Sequence, residues 1–209
     1  MNERLKIYMA GLENHFQEIP ENRKQLLLIL IDYIKLKLIE QKVTSLVFIC
    51  THNSRRSHFG QVWAKTAAVY YGLKDISTYS GGTEETACHQ NTLDALVRAG
   101  FEIKKQSNLI NPEIHVVYDN QTEPIVCFSK TYDHPDNPAG QFAAILTCSD
   151  ADENCPFIPG AEIRIPLTYE DPKKWDDTNQ KETKYDERCR QIALEMMYTF
   201  SRLTKKQED

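Results

Sequence analysis

A cysteine followed six residues later by an arginine, with a short polar stretch between, can hold an oxyanion against a thiolate. That spacing occurs at Cys50-Thr51-His52-Asn53-Ser54-Arg55-Arg56, after the apolar run Leu46-Val47-Phe48-Ile49 and before Ser57. If the run is a strand and a helix follows, the backbone N–H groups of Thr51, His52, Asn53, Ser54, Arg55 and Arg56 point at one spot. Arg56 can then close over the anion with a bidentate fork. A thiol in ordinary surroundings is mostly protonated at neutral pH. Loop amides, a helix N-terminus and an arginine each favour the thiolate, and the Ser57 hydroxyl can donate to the sulfur. Once ionised, Cys50 can attack a tetrahedral oxyanion in line. The plainer reading is a structural cysteine closing a strand, and the placement between strand and helix weighs against it.

Phosphoryl-type chemistry also needs a proton for the leaving oxygen. Asp171, in Tyr169-Glu170-Asp171-Pro172, is the candidate, and Pro172 stiffens the loop that carries it; an Asp-Pro pair is equally a common turn. Cys148 and Cys155 bracket the polar segment Ser149-Asp150-Ala151-Asp152-Glu153-Asn154. Cysteines that far apart must move to join, which suits a redox relay better than a staple. Cys88, Cys127 and Cys189 carry only the bland reading of packed or half-buried thiols. The chain has no CxxC pair, so a zinc site is poorly supported, and no metal site or bound cofactor is expected.

These residues must be positioned by strands and helices. Leu5, Met9, Leu12 and Phe16 recur at helical spacing, Pro20 interrupts, and a second helix starts near Glu21. Residues 1–41 are therefore expected to be a helical extension somewhat apart from a main domain over 42–209. Leu26 to Ile39 is richer in apolar residues than one buried face requires. From Val43 strands and helices alternate: a strand over Leu46 to Ile49, a helix from about Ser57 to Tyr71 and a strand over Ile76 to Tyr79. A helix over Asn91 to Arg98 follows, with Gly100 as its stop. Ile114 to Tyr118 and Ile125 to Phe128 look like a hairpin. Phe142 to Leu146 and Ile163 to Ile165 are further core strands, and Tyr185 to Leu203 is the last helix. The pattern predicts an α/β fold, a four-stranded parallel sheet with helices on both faces. Ligands of such sheets bind beyond the carboxyl ends of the strands, where Cys50 and Cys148 both fall.

Composition sets the remaining bounds. The chain has 209 residues, 41% hydrophobic and 26% charged, enough for one well-cored domain with an appendage. A net charge of −5 argues against bulk nucleic-acid binding. No apolar run is long enough to span a membrane, and no signal pattern opens the chain. The six cysteines form no dense framework, so reduced thiols in a cytoplasmic setting are expected. Nothing in the sequence addresses the oligomeric state.

Together these residues resemble the low-molecular-weight protein tyrosine phosphatase superfamily, and within it the thioredoxin-coupled arsenate reductases. CTHNSRRS is similar to the family's C-x-G-N-x-x-R-S loop, matching at Cys50, Asn53, Arg56 and Ser57. SGGTEE, from Ser80, is similar to the Ser-Ala-Gly-Thr stretch after the second strand. CSDADENCP resembles the reductases' paired-cysteine segment, and EDP the acid-bearing loop. The matches occur in the family's order across roughly Leu46 to Leu203. The resemblance implies the family's fold, with residues 1–41 and the hairpin near 113–128 as additions. It also implies a relay: Cys50 attacks arsenate, Cys148 attacks Cys50 and releases arsenite, and Cys155 resolves the bond into a Cys148–Cys155 disulfide that thioredoxin reduces. As a phosphatase, Cys50 would take a phosphoryl group from phosphotyrosine, with Asp171 as acid and then base. Three departures stand out. His52 replaces glycine, Arg55 replaces a frequent cysteine and adds charge, and Gln61 replaces a glutamate that bacterial reductases link to potassium binding.

Three functions compete. Arsenate reduction recycled by thioredoxin leads, because a phosphatase has no use for CSDADENCP. A tyrosine phosphatase acting on aryl phosphate esters is second. A non-catalytic anion or redox sensor is third, disfavoured by the presence of nucleophile, arginine, serine and acid candidates together.

Overall fold

Residues 1–154 and 157–204 are described by the computed structural model; Cys155 lies outside the described residues. Thr44–Cys50 forms β1, the centre of the design, with Leu46, Val47, Phe48 and Ile49 all buried. It pairs in parallel with β2 (Ile76–Gly82) on one side and β6 (Phe142–Leu146) on the other, and β7 (Ala161–Ile165) pairs with β6. The expected four-stranded parallel sheet is present, in the order β2-β1-β6-β7.

Alternation of side chains along the strands divides the core in two. Leu46, Phe48, Ala143 and Ile145 face the larger cluster, which takes Phe59 and Trp63 from α3 (Arg56–Tyr70) and Tyr185 and Phe200 from α6 (Lys181–Ser201). Val47, Ile49, Ala144 and Leu146 face the smaller cluster, which also holds Cys50, Cys148 and Ala151 of the short helix α5 (Ser149–Asn154).

The N-terminal helices, α1 (Glu3–Glu13) and α2 (Glu21–Ile39), bury Leu5, Met9, Leu12, Leu27, Leu30 and Ile34 in the larger cluster. The surplus apolar residues of α2 explain themselves differently: Leu28, Ile29, Leu36 and Ile39 remain exposed. α4 (Gln90–Ala99) ends at Gly100, whose φ of 119° only glycine adopts comfortably. The expected hairpin exists as β4 (Ile114–Val117) and β5 (Ile125–Cys127), but it is part of a three-stranded antiparallel sheet. Its third member, β3 (Glu102–Lys105), was not expected because Glu-Ile-Lys-Lys is almost wholly exposed and shows no apolar alternation. No described helix is long and apolar enough to cross a membrane.

Candidate functional site

β1 delivers Cys50 to the sheet's carboxyl edge at 3% exposure, and the loop of Thr51 to Arg55 turns into α3. The carbonyls of this loop are drawn outward. Thr83 and Glu84 N–H groups bond the oxygens of Cys50 and Thr51 at 3.2 and 2.9 Å, Thr86 and Ser129 hydroxyls bond that of His52, and His89 N–H bonds that of Ser54. Among the described residues, none of the N–H groups of Thr51 to Arg56 finds a protein acceptor. Carbonyls out and N–H groups in makes a nest for an anion beside the thiol.

Two neighbours fix the loop's shape. Asn53 takes a positive φ of 43°, an αL position that asparagine tolerates. Its side-chain amide donates to Ser57 Oγ at 2.9 Å, and Ser57 Oγ lies 3.1 Å from Cys50 Sγ. His52, which stands where the resembled loop has glycine, is outside the left-handed region, so its side chain imposes no strain there. Gly82, from the Ser-Gly-Gly-Thr stretch, is packed against the loop. A Cβ there would stand 2.6 Å from Thr51 O and 2.8 Å from Asn53 N.

The two arginines diverge. Arg56 is buried, with one terminal nitrogen on Tyr169 O at 3.0 Å and the other on Asp171 Oδ2 at 2.6 Å. Its Nε is buried and unpartnered. Arg55 turns the other way, with Nε donating to Tyr185 OH at 2.6 Å and a terminal nitrogen to Asp176 at 2.8 Å. The extra charge expected of Arg55 therefore goes into a side network and not into the nest. Tyr185 also donates to Asp176 at 2.6 Å and stacks on His89. Burial pushes the Asp176 carboxyl up, but the Tyr185 hydrogen bond and the Arg55 charge outweigh it and hold it below the usual range. His89 is lowered by burial and then by Arg55.

Asp171 caps the 3₁₀ turn Pro172–Trp175, accepting from Lys173 N–H at 2.9 Å. Asp171 and Asp176 thus clasp the two ends of one turn to neighbouring arginines. The preceding residues are tied to the N-terminal helices: Arg23 of α2 donates to Thr168 O and Glu195, and Glu195 accepts from Tyr169 OH. None of Arg23, Asp176, Tyr185 or His89 was singled out from sequence. Only the helix-cap position of His89 left any local trace.

The structure brings Cys148 to the same edge. Thr147 N–H bonds Ile49 O at 2.7 Å, and Cys148 Sγ lies 3.5 Å from Thr51 Oγ1 within the apolar cluster that holds Cys50. The other described thiols are elsewhere. Burial pushes Cys127 and Cys189 up to about 12, and Cys88 well above its ordinary value.

Behind the loop, His58 is wholly buried, 3.2 Å from Ser80 Oγ, and burial with the Lys130 charge pushes it down to about 3. Gln61, placed where the family's potassium-linked glutamate would stand, donates to Val126 O and accepts from the Cys127 thiol. Asn53 Oδ1 is taken by Lys130 N–H at 2.9 Å, and the buried Lys130 lines the same cavity as Gln61. A neutral amide already engaged and a neighbouring ammonium do not fit a resident potassium ion.

No family model matches the chain. Among curated proteins, an arsenate reductase of Bacillus licheniformis is 27% identical over 158 residues, covering 75% of this chain and 94% of its own length. An arsenate reductase 2 of Staphylococcus haemolyticus is 29% identical over 136 residues, covering 64% of this chain and 83% of its own. Among solved structures, a low-molecular-weight phosphotyrosine phosphatase from Vibrio cholerae aligns with TM-score 0.48 and 14% identity, over 79% of this chain and 99% of that one. An arsenate reductase in the phosphate-binding state aligns with TM-score 0.48 and 16% identity, over 77% and 99%.

Proposed function

We propose, from sequence relatives that are arsenate reductases and from motifs that resemble the low-molecular-weight protein tyrosine phosphatase superfamily, that this chain is a cysteine-nucleophile arsenate reductase. The observation that carries the reading is Cys148 seated against Thr51, next to a nest of free N–H groups around Cys50. A phosphatase has no need of a second thiol there.

In the proposed cycle the loop N–H groups and Arg56 hold the arsenate oxygens, and the open Nε of Arg56 supplies one further donor. The oxyanion displaces Asp171 from Arg56. Cys50 thiolate attacks arsenic, an arsenate hydroxyl takes a proton from solvent and leaves as water, and a Cys50–arsenic bond replaces the broken arsenic–oxygen bond. Cys148 thiolate then attacks the Cys50 sulfur. The sulfur–arsenic bond breaks with its electron pair staying on arsenic, which leaves as arsenite, and a Cys50–Cys148 disulfide remains. Cys155 resolves it and thioredoxin, in a reducing cytoplasm, restores the thiols. Ser57 donates to the Cys50 sulfur and Asn53 holds Ser57 in place.

Asp171 beside Arg56 favours a second reading, hydrolysis of an aryl phosphate ester with Asp171 protonating the leaving oxygen. One experiment separates the two. Purified protein is assayed with arsenate plus thioredoxin, thioredoxin reductase and NADPH, and separately with an aryl phosphate. Cys148→Ser and Cys155→Ser are expected to abolish arsenate turnover and spare ester hydrolysis. Wild-type arsenate turnover in both variants would refute the relay, and Cys50→Ser retaining either activity would refute the nucleophile.

A further inference from the structure

The parallel sheet ends at β2 and the antiparallel sheet ends at β5. Between these two edges lies a cavity of about 440 Å³. Into its lining comes Lys130, which is 3% exposed. No hydrogen bond or ion pair reaches its ammonium among the described residues; it sits 4.2 Å over the Phe128 ring. An ammonium on a largely buried side chain that faces a cavity with no anion paired to it is poorly solvated, and one aromatic face offsets only part of that cost. Burial accordingly pushes Lys130 below its ordinary value, despite the opposing Cys127 and Asp136. A second cation, Lys65 of α3, lines the same cavity and spends its ammonium on Ile76 O at 2.9 Å. Two carboxylates, Glu123 and Asp136, also line it, and neither pairs with Lys130; Asp136 is 3.9 Å from His134.

We propose that this cavity is a second, non-catalytic site for a small organic anion, whose carboxylate or phosphate head meets the Lys130 ammonium and whose apolar body lies along Phe128 and Ile125. The missing counter-charge is supplied by the ligand. The site also touches the back of the catalytic loop. Lys130 N–H holds Asn53, Asn53 holds Ser57, and the adjacent Ser129 hydroxyl bonds His52 O. An anion that shifts the Lys130 segment is thereby felt at Cys50.

The test is calorimetric and needs no activity, so it stands apart from the reductase reading. Benzoate and phenylphosphonate are titrated into the full chain and into Lys130→Met, Phe128→Leu and Arg56→Lys. The expected result is binding of at least one probe to wild type, weakened tenfold or more in Lys130→Met, weakened in Phe128→Leu and retained in Arg56→Lys. The two probes distinguish a carboxylate from a phosphate ligand. Thermal melts give the second readout. Without ligand, Lys130→Met is expected to melt above wild type, because an unpaired buried charge has been removed, and the probe is expected to raise the melting points of wild type and Arg56→Lys but not that of Lys130→Met. Failure of both probes to bind wild type, or equal binding by wild type and Lys130→Met, overturns the proposal. So does a loss confined to Arg56→Lys, which assigns the probe to the catalytic loop.

Discussion

Arg55 and Arg56 are neighbours in the chain and stand on opposite walls of one loop. On the Arg55 wall Asp176 and Tyr185 engage both Nε and a terminal nitrogen of the guanidinium, and its side chain is 10% exposed. On the Arg56 wall the terminal nitrogens are held by Tyr169 and Asp171 while Nε stays buried and open. Identical chemistry thus serves two ends. The Arg55 contacts fix the turn that carries Asp171, whereas Arg56 keeps a buried donor open for the oxyanion of the proposed reaction. At this loop the two arginines differ in an unsatisfied donor and not in charge.

The contrast can be broken first on the open wall. Arg56→Lys keeps the charge and loses the planar fork. It is expected to cut kcat/KM for arsenate or aryl phosphate by about a hundred- to a thousand-fold, the scale of losing an oxyanion donor, with little change in the urea midpoint. Steady-state kinetics and a denaturation curve on the same preparation check both halves.

On the closed wall the order should reverse. Asp176→Asn leaves the Arg55 charge without its partner and is expected to cost about 2 kcal/mol of stability, reduced from a fully buried pair because Asp176 is partly solvated. Its activity loss should be about tenfold and confined to substrates with poor leaving groups, because only the Asp171 turn is loosened. An equal loss for good and poor leaving groups would show that the Arg55 wall acts on the nest itself.

The floor beneath both walls gives the smallest effect. His58 is held neutral in the fold, down to about 3, while an unfolded histidine takes a proton near its ordinary value. The unfolded chain therefore binds the extra proton first, and stability falls as pH drops below about 6.5. Between about pH 6.5 and 5.5 wild type should lose roughly 1 kcal/mol more than His58→Gln, read from urea midpoints. Parallel curves for the two proteins would mean that His58 is protonated in the fold.

Much of the fold was legible because its signals are local. The apolar run of β1, the Gly100 stop and the alternation of strands and helices each lie within a few residues. β3 was missed because its four residues are mostly exposed and carry no burial period. The candidate nucleophile and arginine could be placed by spacing, since strand, loop and helix follow one another directly. Asp171 is the candidate acid from its Asp-Pro turn alone, but its bond to Arg56 spans 115 positions and has no local signal.

By itself, the sequence determined a strand ending in a thiol, a short loop, and a helix beginning with arginine and serine. Backbone propensity and side-chain period act over such distances, so those features needed no tertiary information. Only the folded chain decided which arginine stays open, that Cys148 lies against Thr51, and that Lys130 is buried without a counter-ion. Each of those depends on partners more than 50 positions away or on exclusion of water by distant elements. Hydrogen-bond satisfaction and desolvation are properties of the whole packed molecule, and no local pattern encodes them.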